Sequence, residues 1–150
     1  MVKIAAHGLE IEVHHGWEGR MWRPHADPPV IAGPVVRLAN FALPTTRDTY
    51  AAEVADVLRP SDVLVSLVEF DRASANTGLY AGRGAPTLDV GDLDPNAVQV
   101  AGPGRLGVQR FFSLRNRAFS LYVMAHEGRD LRHAFDVVNA SLRSFRVGAR

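Results

Sequence analysis

Leu9, Ile11 and Val13 alternate with Glu10, Glu12 and His14, a period of two that predicts a strand with one face in a core and the other in water. His7-Gly8 before it and His15-Gly16 after it read as turns, because glycine accepts the positive φ that tight turns require. Residues 19–23 are expected to return as a second strand. The stretch HADPPVIAGP, residues 25–34, opposes regular structure with its prolines and glycine and reads as a loop.

VVRLANFAL, residues 35–43, is apolar and β-branched enough for another strand. The period then changes: Tyr50, Val54, Val57 and Leu58 recur at helical spacing, with Thr46 or Asp48 available as N-cap and Pro60 as terminator. The spacing predicts a helix over about 48–58. DVLVSLVEF, residues 62–70, is short and dense in Val and Leu, as expected of a central strand buried on both faces.

Residues 71–106 carry glycine at 78, 82, 84, 91, 102 and 104 and proline at 86, 95 and 103. They read as an irregular loop region in which TLDVGDLDPNAVQV supplies a short strand and a helical turn. LGVQRFFSLRNRAFSLYVMAH is the clearest hairpin, two apolar-aromatic runs about Arg115-Asn116-Arg117, with Asn suited to the left-handed turn conformation. Alternation puts Phe119, Leu121 and Val123 on one face and Tyr122 and Met124 on the other. RDLRHAFDVVNASL then spaces Leu131, Ala134, Phe135, Val138 and Leu142 along one stripe, an amphipathic helix with Asp130 as N-cap. RSFRV is expected to form a last short strand at a sheet edge.

These elements predict one α+β domain over residues 1–150: a mostly antiparallel twisted sheet, with the C-terminal amphipathic helix and the shorter second helix packed on it. A chain of 150 residues is long enough to bury about two thirds of its unfolded surface. The hydrophobic fraction of 47% and charged fraction of 22% are those of a globular protein. No apolar run approaches the roughly 20 residues of a spanning helix, and MVKIAAHGLEIEV lacks the uninterrupted apolar stretch of a secretory signal. A cytoplasmic protein without a membrane span is expected. The absence of cysteine removes disulfides, thiolate nucleophiles and thiolate metal ligands.

Charge is unevenly distributed. Residues 1–104 carry 8 basic and 13 acidic side chains, residues 105–150 carry 9 and 3. The C-terminal arginines are scattered rather than clustered, which favours neutralisation within the fold over a nucleic-acid face.

Candidate chemistry is sparse. HHGWEGRMWRPH, residues 14–25, gathers three histidines and two tryptophans. His14 and His15 are adjacent, however, so an extended backbone sends them to opposite faces. If the chain pairs back on itself, His25 falls opposite about residue 10, roughly 13 Å along a ladder rising ~3.3 Å per residue. No shared metal is expected from that geometry, and Trp17 and Trp22 read as anchors closing the hairpin. AGPGRLG (101–107) and, more weakly, YAGRGAP (80–86) hint at anion-binding loops. Neither has the lysine or the strand-to-helix context of a P-loop. No cofactor is indicated.

Two functions of different class follow. One is a non-catalytic protein-binding adaptor, chaperone or assembly module, able to self-associate, whose second sheet face presents Phe111 or Phe112 with Tyr122 and Met124, flanked by Arg110, Arg115 and Arg117. The other is a small hydrolase or ligand-binding enzyme using His126, Glu127 and Asp62 beside the glycine-rich loops. The arginine-rich hairpin beside aromatic residues superficially suggests nucleic-acid stacking, against which the pI of about 8.3 and the acidic loops argue.

The alternating strand with its Gly-Trp turn, LEIEVHHGWEG, and the closing helix and strand, AFDVVNASLRSFRV, together with the order of elements between them, resemble the Mog1/PsbP-like α/β fold family. The resemblance spans most of the chain in layout. It implies a non-catalytic protein that binds other proteins, and it transfers no functional residue, because the matching positions are packing positions.

Overall fold

The computed structural model describes residues 1–24, 33–44 and 52–148. The chain opens on a hairpin of β1 (Val2–Ala6) and β2 (Leu9–Val13). Their register sets Ala6 opposite Leu9, so His7-Gly8 is a two-residue turn with both φ angles positive, 55° and 77°. This is the twist that suits a tight hairpin. In β2, Leu9, Ile11 and Val13 are buried while Glu10 and Glu12 are half-buried, as alternation predicts. The far edge of β2 pairs with the two-residue strand β8 (Arg146–Val147). The result is a three-stranded antiparallel sheet ordered β1-β2-β8.

A second, five-stranded antiparallel sheet is ordered β3-β4-β5-β7-β6. Its strands are β3 (Glu18–Trp22), β4 (Val35–Ala39), β5 (Val63–Glu69), β6 (Arg105–Leu114) and β7 (Arg117–His126). The Val/Leu-dense β5 lies in the middle with all seven residues buried. The expected return of residues 19–23 onto the first strand is corrected. β3 pairs with β4 and leaves β2 in the other sheet. The turn closed by the Trp17 N–H donating to the His14 carbonyl (3.0 Å) redirects the chain across the β1–β2 hairpin. At that crossing Gly19 is pressed close enough that a Cβ there would lie 2.6 Å from Val13 Cγ2.

The C-terminal helix α1 (Leu131–Ser144) buries the predicted stripe of Leu131, Ala134, Phe135, Val138 and Leu142. It covers the face of the large sheet that carries Leu38, Val65, Phe112, Phe119, Leu121 and Val123, and β2 joins the same core. Ser144 Oγ accepts from the Glu12 N–H (2.9 Å) and donates to the Ser141 carbonyl (2.6 Å), tying the helix to β2. Asp130 precedes the helix, but its carboxylate makes no capping bond. Its N–H instead donates to Ser61 Oγ (3.1 Å).

The expected second helix is also corrected. Among the described residues only a 3-10 helix, Ala52–Val57, is present, while Thr46, Asp48 and Tyr50 lie outside them. Val54 and Ala55 are buried with Leu43 and Val98 against Ala39, Leu64, Tyr122 and Met124 on the opposite face of the sheet. Val57, counted in the predicted apolar stripe, is 63% exposed, so the stripe does not form one buried helical face here.

Residues 71–104 are ordered into four further 3-10 turns, at Arg72–Ser74, Gly78–Tyr80, Val90–Asp92 and Pro95–Ala97. Asp71, Asp89 and Asp94 each cap one of them with a side-chain oxygen. The region is pinned to the body where the Asn139 side chain donates to the Leu88 carbonyl and accepts from its N–H, both at 2.8 Å. The short strand expected within TLDVGDLDPNAVQV is reduced to one bridge, Asp94 to Gly107. No helix among the described residues is long and apolar enough to cross a membrane.

Candidate functional site

The predicted partner surface is not assembled. Phe112, Tyr122 and Met124 are each 2% exposed. Phe112 faces the main core, whereas Tyr122 and Met124 lie beneath Val54, Ala55 and Val98, and the Tyr122 hydroxyl accepts from the Gln99 N–H (3.1 Å). Phe111 points the other way from Phe112, as alternation demands, but packs edge-on against Tyr80 at 5.5 Å. Of the flanking arginines, Arg117 is fully buried and pairs with Glu69, and Arg110 pairs with Asp92 at 3.6 Å. Arg115 alone of the seven stands in solvent with no hydrogen bond or ion pair from its guanidinium among the described residues.

Among the described residues, three of the nine arginines in the basic C-terminal third pair with acidic residues of the part before it. Arg105–Asp56, Arg110–Asp92 and Arg117–Glu69 each join the basic C-terminal third to the acidic part before it. Arg105 also donates to the Val100 and Ala101 carbonyls. AGPGRLG therefore closes on itself and offers no free cation to an anion.

The three residues proposed for catalysis are backbone neighbours where β5 begins and β7 ends, and the hydrogen bonds of Asp62 and His126 serve the chain turns, while the Glu127 N–H donates to the Gly104 carbonyl. The His126 N–H donates to the Asp62 carbonyl, and the His126 carbonyl accepts from the Ser61 N–H. Asp62 Oδ2 accepts from the Arg59 N–H (2.9 Å), closing the turn ahead of β5. His126 Nδ1 lies 3.0 Å from the Glu127 carbonyl oxygen, and its ring packs against Gly104.

His14 and His15 both belong to the wall of one cleft of about 300 Å3 with Trp17 and Ile4. They sit in the turn between β2 and β3 rather than in an extended run, so strand alternation does not govern them. His25 lies outside the described residues, among which no group of three or more His, Cys, Asp or Glu side chains could hold a metal ion. The tryptophans serve different packing: Trp17 joins the main core, and Trp22 lies under the Arg37 guanidinium at 5.0 Å.

The arrangement with most chemical content is at the β6–β7 turn. Leu114 pairs with Arg117, so the loop is Arg115-Asn116 alone, with φ of 49° and 62°. Asparagine tolerates that left-handed pair of angles; arginine adopts them at a cost of about 1–2 kcal/mol. Beside the turn runs the segment 76–84, held by one buried hydroxyl. Ser113 Oγ accepts from the Asn76 N–H (2.8 Å) and donates to the Tyr80 carbonyl (2.6 Å). The Ser113 N–H and carbonyl pair with Gly82 and Gly84, fixing Arg83 alongside β6. Asn76 Nδ2 donates to Asn116 Oδ1 (3.0 Å), closing segment onto turn.

Between them lies a cleft of about 420 Å3 lined by Asn76, Arg83, Ser113, Arg115 and Asn116, with no aspartate or glutamate in its wall. Arg83 and Arg115 are both exposed. A neighbouring cleft of about 550 Å3 shares Arg115 but contains Glu10, so the first is the more positive of the two. Sequence reading flagged the Gly-Arg-Gly of YAGRGAP but had no means of setting Arg83 next to a turn 32 positions away. Ser113→Ala is expected to cost about 1–3 kcal/mol by removing the hydroxyl that accepts from the Asn76 N–H and donates to the Tyr80 carbonyl. Faster hydrogen exchange at the Asn76 amide, with β5 unaffected, is the check.

Comparison of the chain with protein-family models, with curated proteins and with solved structures finds no match.

Proposed function

We propose that this protein is a non-catalytic binding module that docks on a protein partner through the end of the large sheet where the β6–β7 turn meets segment 76–84. The observation that carries the reading is Leu79, which lies in that segment and is 63% exposed, on the same loop as Arg83 and next to Tyr80. An apolar side chain held in water, on the same segment as an arginine whose guanidinium has no hydrogen bond or ion pair among the described residues, suits a protein interface, where apolar anchors and arginine are enriched. The segment is held by the Ser113 hydroxyl, so the surface is preorganised and little ordering entropy is lost on docking. An adaptor or assembly role is also what the Mog1/PsbP-like resemblance implies.

The test is site-specific photo-crosslinking in the native cell, with a benzophenone amino acid replacing Leu79 or, as control, Val57, which is equally exposed at 63%. A discrete protein adduct from position 79 and none from position 57 is expected. No adduct, or the same adducts from both positions, overturns the reading.

A further inference from the structure

We infer that the Arg83–Arg115 cleft receives the carboxylates of an acidic peptide segment, an inference that rests on the protein-binding reading and names the chemistry of the partner. The wall presents two guanidinium groups and no carboxylate. Neither guanidinium has a hydrogen bond or ion pair among the described residues, whereas Arg59, Arg105, Arg110 and Arg117 all face acids. Two cationic residues lining one cleft without a carboxylate make its potential positive, which favours an incoming anion. Guanidinium forks fit carboxylates bidentately. Asn116 Oδ1 accepts from Asn76 Nδ2, which fixes the Asn116 amide at the cleft with two N–H groups able to donate to an acceptor-rich ligand.

Arg115 supplies the second line of argument. It occupies the first position of a two-residue turn whose angles suit asparagine or glycine, and its guanidinium makes no hydrogen bond or ion pair among the described residues that would offset the backbone cost. Strain retained at a solvent-facing cationic position is what a binding role explains and a folding role does not. A peptide is favoured over nucleic acid because the cleft holds only two cations, and the nearby aromatic rings of Phe70, Tyr80 and Phe111 pack on one another and form no open stacking platform.

The experiment measures fluorescence anisotropy of labelled decaglutamate, with labelled oligothymidylate as the competing class, on the full chain and on Arg83→Gln, Arg115→Asn and Arg129→Gln. Decaglutamate is expected to bind in a salt-sensitive manner, and each of the first two variants to weaken it by about tenfold, the loss of one charge-assisted contact. Arg129→Gln, altering an exposed arginine outside the cleft, should bind as the parent does. Arg115→Asn should at the same time raise the melting temperature by about 2–4 °C, so lost binding cannot be ascribed to lost fold.

Unchanged affinity in both cleft variants, tighter binding of oligothymidylate, or a lowered melting temperature in Arg115→Asn would overturn the inference. Crosslinking from position 79 that persists in the Arg83→Gln/Arg115→Asn double variant would also overturn it while leaving the protein-binding reading intact. Absence of any adduct from the parent defeats that reading itself.

Discussion

Arg117→Ala is expected to lower the unfolding free energy by about 3–5 kcal/mol, the range for breaking a buried ion pair from one side. Arg117 is 0% exposed and Glu69 is 3% exposed. Arg117 Nε donates to Glu69 Oε2 at 2.8 Å, and a second guanidinium nitrogen donates to Oε1. The remaining donors reach out of the large sheet altogether, to the carbonyls of His7 (3.1 Å) and Gly8 (3.3 Å) in the β1–β2 turn and of Gly148 beyond β8 (3.5 Å). Alanine would take the Arg117 guanidinium away from a buried carboxylate and would release the two ends of the small sheet from the large one.

Chemical denaturation should therefore show a lower midpoint, and hydrogen exchange should show β1 and β8 opening ahead of β5. Domains of this kind have only about 5–15 kcal/mol of net stability, so the variant is expected to be marginal at 37 °C. Arg117→Met with Glu69→Leu should recover much of the loss, because removing both charges removes the desolvation penalty along with the attraction. A double variant no more stable than Arg117→Ala would instead place most of the stabilisation in the three carbonyl contacts.

The fate of Arg117 also marks where sequence reading stops. In the string Arg115-Asn116-Arg117 all three residues look like turn residues, yet only two form the turn. The third is the first residue of β7, and what permits its burial is a carboxylate 48 positions earlier. Local periodicity does fix which way side chains point: it separates Phe111 from Phe112, places Tyr122 and Met124 together, and finds the buried stripe of α1. It does not say which strands pair, so the departure of β3 from β2 is not legible. Nor does it say what covers the second face of the sheet, which is why Tyr122 and Met124 read as surface residues. Of the candidate cleft, the Asn116 turn was visible because its backbone requirement is local. Arg83 was not, since its position depends on a bridge to Ser113 across 30 residues.

The second large effect is expected from Phe119→Ala, which should cost about 3–5 kcal/mol, the range for truncating a buried phenylalanine. Phe119 is 0% exposed. Its ring stacks on Phe112 at 5.4 Å and meets Phe145 edge-on at 5.2 Å, while Phe112 and Phe145 touch edge-on at 6.5 Å. These three rings join β6, β7 and the end of α1, so the cavity would open where three elements meet and none can close it without moving the other two. Phe119→Leu should recover part of the loss by refilling volume.

Phe111→Ala supplies the contrast, since it removes an aromatic of the same size from the same hairpin. There only the Tyr80 edge contact and partial burial are lost, and a clearly smaller drop in denaturation midpoint is expected. Equal drops for the two alanine variants would mean that the opposite face of β6, against which segment 76–84 rests, is as tightly packed as the main core. Segment 76–84 would then be part of the fold's cooperative unit, and its exposed Leu79 and Arg83 would be presented on a surface as rigid as the core beneath it.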